Sequence, residues 1–294
     1  MAVLSRAHLG SRLPFLRRFY FALVMRLKPS RLQINGMWMQ VHKHDNAVTH
    51  ALLNFGVYEP METAVLSGLL RPGDVFVDIG ANIGYYTLLA SSRVGPRGRV
   101  IALEPGRGNL SLLRANVADN SLANVTIVAA AAGQSAGVLP LYESATNMGD
   151  HRLYAVDERD HYDVEVLRLD DLLQKPAAVP NVVKIDIQGY EYQAMSGLRG
   201  TLAAAERCAV CSEFWSEGLR AAGSANPSEY AALFTDLGYE LYEIDEHAGA
   251  LRPLAGDALT EFLSVDRETN ILAVKGIGHA ELMSVIARPA GVDA

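Results

Sequence analysis

The twelve residues Val75-Phe76-Val77-Asp78-Ile79-Gly80-Ala81-Asn82-Ile83-Gly84-Tyr85-Tyr86 set a buried strand, a glycine turn and a helix start back to back. That order confines the chain to an α/β architecture, with helices packed over a sheet. The apolar run Val75 to Ile79 suits a strand covered on both faces. Gly80 lets the backbone leave the strand through a turn where a side chain would collide with a ligand, and Asn82 and Gly84 then open a helix through Leu88 and Leu89. A corner of this kind reads as a nucleotide-type cofactor site.

The spacing narrows the cofactor. Asn82 and Tyr85 stand where the second and third glycines of the dinucleotide fingerprint would be, so a pyrophosphate is poorly cradled. Asp78 at the strand end, followed by the glycines at 80 and 84, better suits a cofactor with a cationic amino acid head and an adenosine, which is S-adenosylmethionine. After Gly98, the run Arg99 to Leu103 is a second parallel strand ending at Glu104-Pro105, where a carboxylate can accept hydrogen bonds from both ribose hydroxyls. NAD would use the same placement, so Glu104 alone does not separate the two cofactors. Each acid also has a plain local use, Asp78 as a turn cap and Glu104 as a cap for the helix beginning near Gly106.

Four segments carry a family resemblance: Asp78 to Thr87, Ala102 to Pro105, Leu167 to Leu173 and Val182 to Glu191. In this order they resemble the FkbM-type methyltransferases, and the likeness spans Tyr58 to Lys275. The resemblance implies a class I, Rossmann-like doubly wound sheet, mostly parallel with an antiparallel last strand, S-adenosylmethionine as donor, and O-methylation of a sugar or related hydroxyl. It carries Asp78, Gly80, Asn82, Gly84, Tyr85, Glu104 and Pro105 into the cofactor site. Tyr58-Glu59 resembles a pair that precedes the first motif in this family, so Glu59 joins them as a candidate for the amino acid end, its alternative use being to cap a helix at Pro60. Gln188 departs from the family, which often has Glu there.

Along the chain, Asn35-Gly36 between Leu32–Ile34 and Met37–Val41 is a hairpin signal, and a helix is expected from 60 to 69. Strands at 75–79, 99–103 and 125–128 alternate with helices, which gives parallel pairing through right-handed crossovers. Gly137–Tyr142 and Asp163–Leu169 read as two extra strands around a polar loop, followed by strands at 182–187, 209–214, 239–244 and 271–275. The segments 143–160 and 216–226 read as irregular and are where acceptor specificity is expected. The expected organisation is a basic helix and hairpin over 1–57, a methyltransferase domain over 58–276 and a tail over 277–294.

Charge is unevenly placed. The chain carries a net charge of -7, yet residues 1–31 hold seven basic side chains and no acidic one, which leaves 19 basic against 33 acidic groups, or -14, for the remainder. Nucleic acid is therefore not the expected substrate. Phe15, Leu16, Phe19, Tyr20, Leu23, Val24 and Leu27 recur at helical spacing, with Arg17, Arg18 and Arg26 mostly off that stripe. The stripe packs on the domain or a second subunit, or else it makes peripheral contact with an anionic membrane. Cys208 and Cys211, three apart on an expected strand, point to opposite faces and read as buried thiols rather than a zinc or redox pair, in keeping with a reducing, cytoplasmic compartment.

The carboxyl ends of the strands collect Asp78, Glu104, Asp186 and Glu213, an acidic edge that requires something positive between its members. Lys184 shares a strand face with Asp186 and is expected to pair with it. Methyl transfer to a hydroxyl needs in-line positioning and a group that removes the proton. His151 is the first candidate for that base, with Asp186 as its orienter or as the alternate base. A divalent ion, Mg²⁺, held by Asp186 and Glu213 is the rival device. Tyr190, Glu191 and Trp215 are candidates for the acceptor pocket. Two other functions stay open at this level: a nicotinamide-dependent oxidoreductase and a noncatalytic cofactor-binding module.

Overall fold

A computed structural model describes residues 28–174, 179–223 and 226–286. Residues 1–27 of the basic stretch, with the apolar stripe from Phe15 to Leu27, lie outside the described residues. The hairpin segment beyond them is tied into the body of the protein: Arg31 stacks 4.4 Å from the Trp38 ring and pairs with Asp119 at 3.1 Å. β1 (Arg31–Ile34) and β2 (Met37–Gln40) form the expected hairpin, turned by Asn35 and Gly36 at φ 49 and 78. α1 (Val48–Phe55) was not foreseen, and α2 (Pro60–Leu69) matches its expected bounds.

The core is an eight-stranded sheet. β3 (Val75–Ile79), β4 (Arg99–Leu103) and β5 (Val125–Val128) are parallel, linked by α3 (Tyr85–Val94) and α4 (Arg107–Asp119). β9 (Val182–Ile185) then pairs on the other side of β3, and β10 (Cys208–Trp215) continues outward. The strand order therefore reverses between β3 and β9, and a crevice opens beyond their carboxyl ends. β13 (Glu268–Lys275) runs antiparallel between β10 and β11 (Glu240–Asp245), as expected for a last strand. An unforeseen edge strand, β12 (Ala250–Leu254), pairs antiparallel with β11. Apolar side chains pack on both faces of this sheet, and Cys208 and Cys211 are buried in opposite layers with free thiols.

A second, three-stranded sheet comprises β6 (Ala131–Gly133), β7 (Gly137–Tyr142) and β8 (His161–Arg168). Its small core includes Leu141, Val164 and Val166, and it carries the 143–160 loop, which Tyr142 and Arg152 pin by reciprocal backbone bonds of 2.8 and 3.0 Å. Two expectations need correction. The segment from Ser216 begins as α5 (Ser216–Ala221), not as irregular chain. The tail contains α6 (His279–Ile286), which buries Leu282 and Val285 and sits so close to α2 that a side chain at Gly68 would overlap Val285. Apolar residues three apart that need a covering layer explain why this segment folds back. Among the described residues, no helix is long and apolar enough to cross a membrane.

Candidate active site

The crevice between β3 and β9 is an open cleft lined by both strand ends, in the place where ligands bind to sheets of this kind. Its floor is the β3–α3 corner, where the Gly80 and Ala81 N–H groups donate to the Leu103 carbonyl at 3.0 and 2.9 Å. Gly80 has φ 80, and a Cβ there would overlap the Asp186 carbonyl oxygen. The neighbouring strand end thus requires the glycine independently of the ligand expected from the sequence. Gly84 has φ 96 and lies against Leu113, outside the lining, so its role is to seat α3.

Glu104 and Pro105 line the cleft at the end of β4. Glu104 is buried, and both carboxylate oxygens accept backbone hydrogen bonds, from Asn82 N–H at 2.7 Å and from Gly106 N–H at 2.7 Å. Burial nevertheless pushes its carboxyl up to about 7. The expected helix-capping use and the expected position in the cleft thus coexist, because a carboxylate offers about four lone-pair directions. Asp78 does not line the cleft. It is buried against α3, accepts from Thr87 Oγ1 at 2.5 Å and has its carboxyl pushed up by burial to about 6.

One end of the cleft is aromatic. Tyr85 and Tyr86 line it with Tyr58, their rings 5.1 Å apart and edge-on. Glu59, with φ 42, neither caps α2 nor lines the cleft; its Oε2 accepts from Tyr86 Oη at 2.9 Å. Burial first and then Glu62 push its carboxyl up to about 8.

The same end gathers the charged groups from β9 and β10, with Lys184 Nζ 5.5 Å from the centre of the Tyr86 ring. Lys184 lines the cleft at its base and pairs with Glu62 of α2 at 2.9 Å, whereas Asp186, its expected partner, is 3.9 Å away. Burial works against the ammonium, but Glu62 and Asp186 outweigh it and hold Lys184 protonated. Glu62 was missed because an acidic residue in a helix's first turn reads as a dipole partner. Gln188 is left-handed at φ 56, and Glu191 braces its turn by accepting from Ile187 and Gly189 N–H at 3.0 and 3.2 Å. Glu191 is therefore a buried strut and not part of the acceptor pocket. The Gln188 amide donates to Asp186 Oδ1 at 2.9 Å and to the two Glu213 oxygens at 3.2 and 3.3 Å. Burial, then Asp186 and Glu191, hold the Glu213 carboxyl well above the usual range.

That arrangement does not fit a divalent ion. The space between Asp186 and Glu213 holds amide hydrogens, and among the described residues no group of three His, Cys, Asp or Glu side chains converges as a metal site does. His151 lines the cleft, but on the Glu104 side, near Gly106. Its Nδ1 accepts from Ser144 N–H at 3.1 Å, so the neutral ring carries its proton on Nε2 and offers a donor, not a base; burial holds its pKa below the usual value and keeps it neutral. Trp215 carries the Arg152 guanidinium 4.7 Å from its ring, and Asp150 binds both Arg152 and Arg159. Sequence reasoning also missed Ala47, Val48 and Asn109 in the lining, since their segments meet the cleft only through tertiary packing.

The methyltransferase FkbM domain matches residues 78–241. Ribosomal RNA large subunit methyltransferase E of Azoarcus sp. (strain BH72) is 41% identical over 71 residues, 23% of this chain and 35% of that protein. The chain thus spans about a third of the length of the curated relatives it matches. Among solved structures, methyltransferase FkbM from Methylobacillus flagellatus KT is similar at 19% identity and a TM-score of 0.44, over 90% of this chain and 60% of that one. An S-adenosylmethionine-dependent O-methyltransferase from Thermotoga maritima is similar at 15% identity and a TM-score of 0.42, over 76% and 69%.

Proposed function

The chain belongs to the FkbM methyltransferase family, and from that premise we propose that it transfers a methyl group from S-adenosylmethionine to a hydroxyl of a sugar, glycoside or related small molecule, with Asp186 as the base. The nicotinamide-dependent alternative falls with that membership. S-adenosylmethionine, when bound, supplies a methyl group made electrophilic by a cationic sulfur. The residues present suit it: Glu104 offers its remaining lone pairs to the ribose diol beside Asn82 and Pro105, and Asp186 supplies negative charge at the sulfonium end.

One observation carries the assignment of the base. Glu104 and Asp186 are the carboxylates among the described lining residues, and Glu104 has both oxygens on backbone N–H groups. Asp186 is left to meet the acceptor. Gln188 holds its Oδ1, while Lys184 lies 3.9 Å from Oδ2. A hydroxyl that received the methyl group would become strongly acidic as the donor's carbon–sulfur bond broke, and Asp186 would take its proton. A carboxylate is adequate for so late a transfer. His151, donating from Nε2, serves the nucleoside side.

The likeness to ribosomal RNA large subunit methyltransferases raises a second acceptor class, ribosomal RNA. The -14 charge of residues 32–294 weighs against it, since a polyanion would be repelled. Incubation with methyl-labelled S-adenosylmethionine and a panel of glycosides, polyols and ribosomal RNA tests the proposal. Label is expected in the carbohydrate arm; label in RNA alone would overturn the acceptor class, and no label in any arm would favour the noncatalytic module.

A further inference from the structure

Residues 41–49 lie ahead of the family-matched segment, yet they reach the cleft: Ala47 and Val48 are part of its lining, together with Asn147, Met148 and Gly149 from the loop after β7. The two stretches are joined by one side chain. Asp45, 2% exposed, accepts from Thr49 N–H through Oδ2 at 2.7 Å and from Met148 N–H through Oδ1 at 3.1 Å. Asn46 N–H adds a bond to the Thr146 carbonyl at 3.3 Å.

Met148 is held from its other side as well. Its carbonyl accepts from Asn109 Nδ2 at 2.8 Å, and Asn109 Oδ1 is 3.0 Å from His42 Nε2. Both backbone groups of Met148 are thus fixed by side chains from distant segments. Gly149 comes next, directly above the turn: a Cβ there would lie 3.4 Å from Asn82 Nδ2, on the residue whose N–H binds Glu104. A buried carboxylate is costly unless its oxygens are bonded. Bonding to two backbone N–H groups from separate segments fixes those segments relative to each other in a way apolar contact does not.

We infer that Asp45 is a positioning residue for the cofactor: through Thr49 and Met148 it clamps residues 47–48 and 147–149 into one wall that faces Glu104 across the nucleoside part of the cleft. This rests on the S-adenosylmethionine reading given above. The wall lies partly outside residues 78–241, so the family-matched segment alone holds an incomplete cofactor site.

The test uses the full chain, with S-adenosylhomocysteine and methylthioadenosine as probes in calorimetric titrations. Asp45→Asn keeps the size of the side chain but turns an amide donor toward one of the two backbone donors. It is expected to weaken both probes about tenfold or more, while the thermal midpoint without ligand moves by only a few degrees. Equal affinity of Asp45→Asn and wild type overturns the clamp. Amide exchange on the wild-type protein covers the case in which the variant does not fold: S-adenosylhomocysteine is expected to slow exchange at both Thr49 and Met148, and unaltered exchange there overturns the clamp independently. A wild-type chain that binds neither probe removes the cofactor reading and the clamp with it.

Discussion

The two ends of the cleft hold their carboxylates in opposite ways. Glu104 is fixed by backbone N–H groups from Asn82 and Gly106, twenty-two and two residues away in the chain. Asp186 is held by side chains: Gln188 on one oxygen and Lys184 near the other, with Lys184 itself paired to Glu62 on α2. A carboxylate held by backbone is rigid and shaped for binding, whereas one held by side chains depends for its position on the residues that hold it. Affinity for the cofactor and the rate of the chemical step should therefore fail separately when the two ends are altered.

The largest expected effect is at Asp186. Asp186→Asn should lower kcat by about 10²–10⁴ in a labelled-methyl assay while S-adenosylhomocysteine affinity stays within a few fold. Next in size, Lys184→Met leaves Glu62 buried and unpaired, and urea unfolding should show a loss of about 3–5 kcal/mol. At the other end, Glu104→Gln should weaken S-adenosylhomocysteine roughly 10–100-fold, the range for a lost charged hydrogen-bond acceptor, with kcat at saturating donor much less altered. The smallest is a pH effect. Burial raises the Glu104 carboxyl to about 7, so in the free protein it takes up a proton as pH falls below that value. Because the diol needs the carboxylate, the dissociation constant should rise up to about tenfold per unit below pH 7 and level off about a unit above it. The same raised pKa has the opposite sign for folding: its stabilising contribution is complete below the ordinary carboxylate range and is lost as pH rises through about 7. Affinity and unliganded stability should thus move in opposite directions, which calorimetry and thermal melts at matched pH can check.

How far the fold was readable depends on distance along the chain. The β3 strand, its glycine turn and the carboxylate after β4 are coded within about thirty residues, and periodicity and turn chemistry report such short-range order directly. The need for glycine at 80 is legible in the turn, but one atom that excludes a side chain there belongs to Asp186, more than a hundred residues on. Asp78 was carried into the cofactor site by its motif, but its strand face turns it toward Thr87. The Glu62–Lys184 pair and the Asp45 bridge were illegible because each joins segments whose only connection is packing. The segment after Ile277 read as a tail because its apolar residues have no partner nearby in sequence, although α2 supplies one in space. His151 lines the cleft, but its role depends on which nitrogen Ser144 occupies, and no spacing rule reports that.

The most direct measurement is a calorimetric titration of S-adenosylhomocysteine into the wild-type chain, Glu104→Gln and Asp186→Asn under one set of conditions. The account predicts binding to wild type, nearly equal binding to Asp186→Asn and strongly weakened binding to Glu104→Gln. No binding to wild type, or loss of binding in Asp186→Asn with Glu104→Gln unaffected, would contradict it.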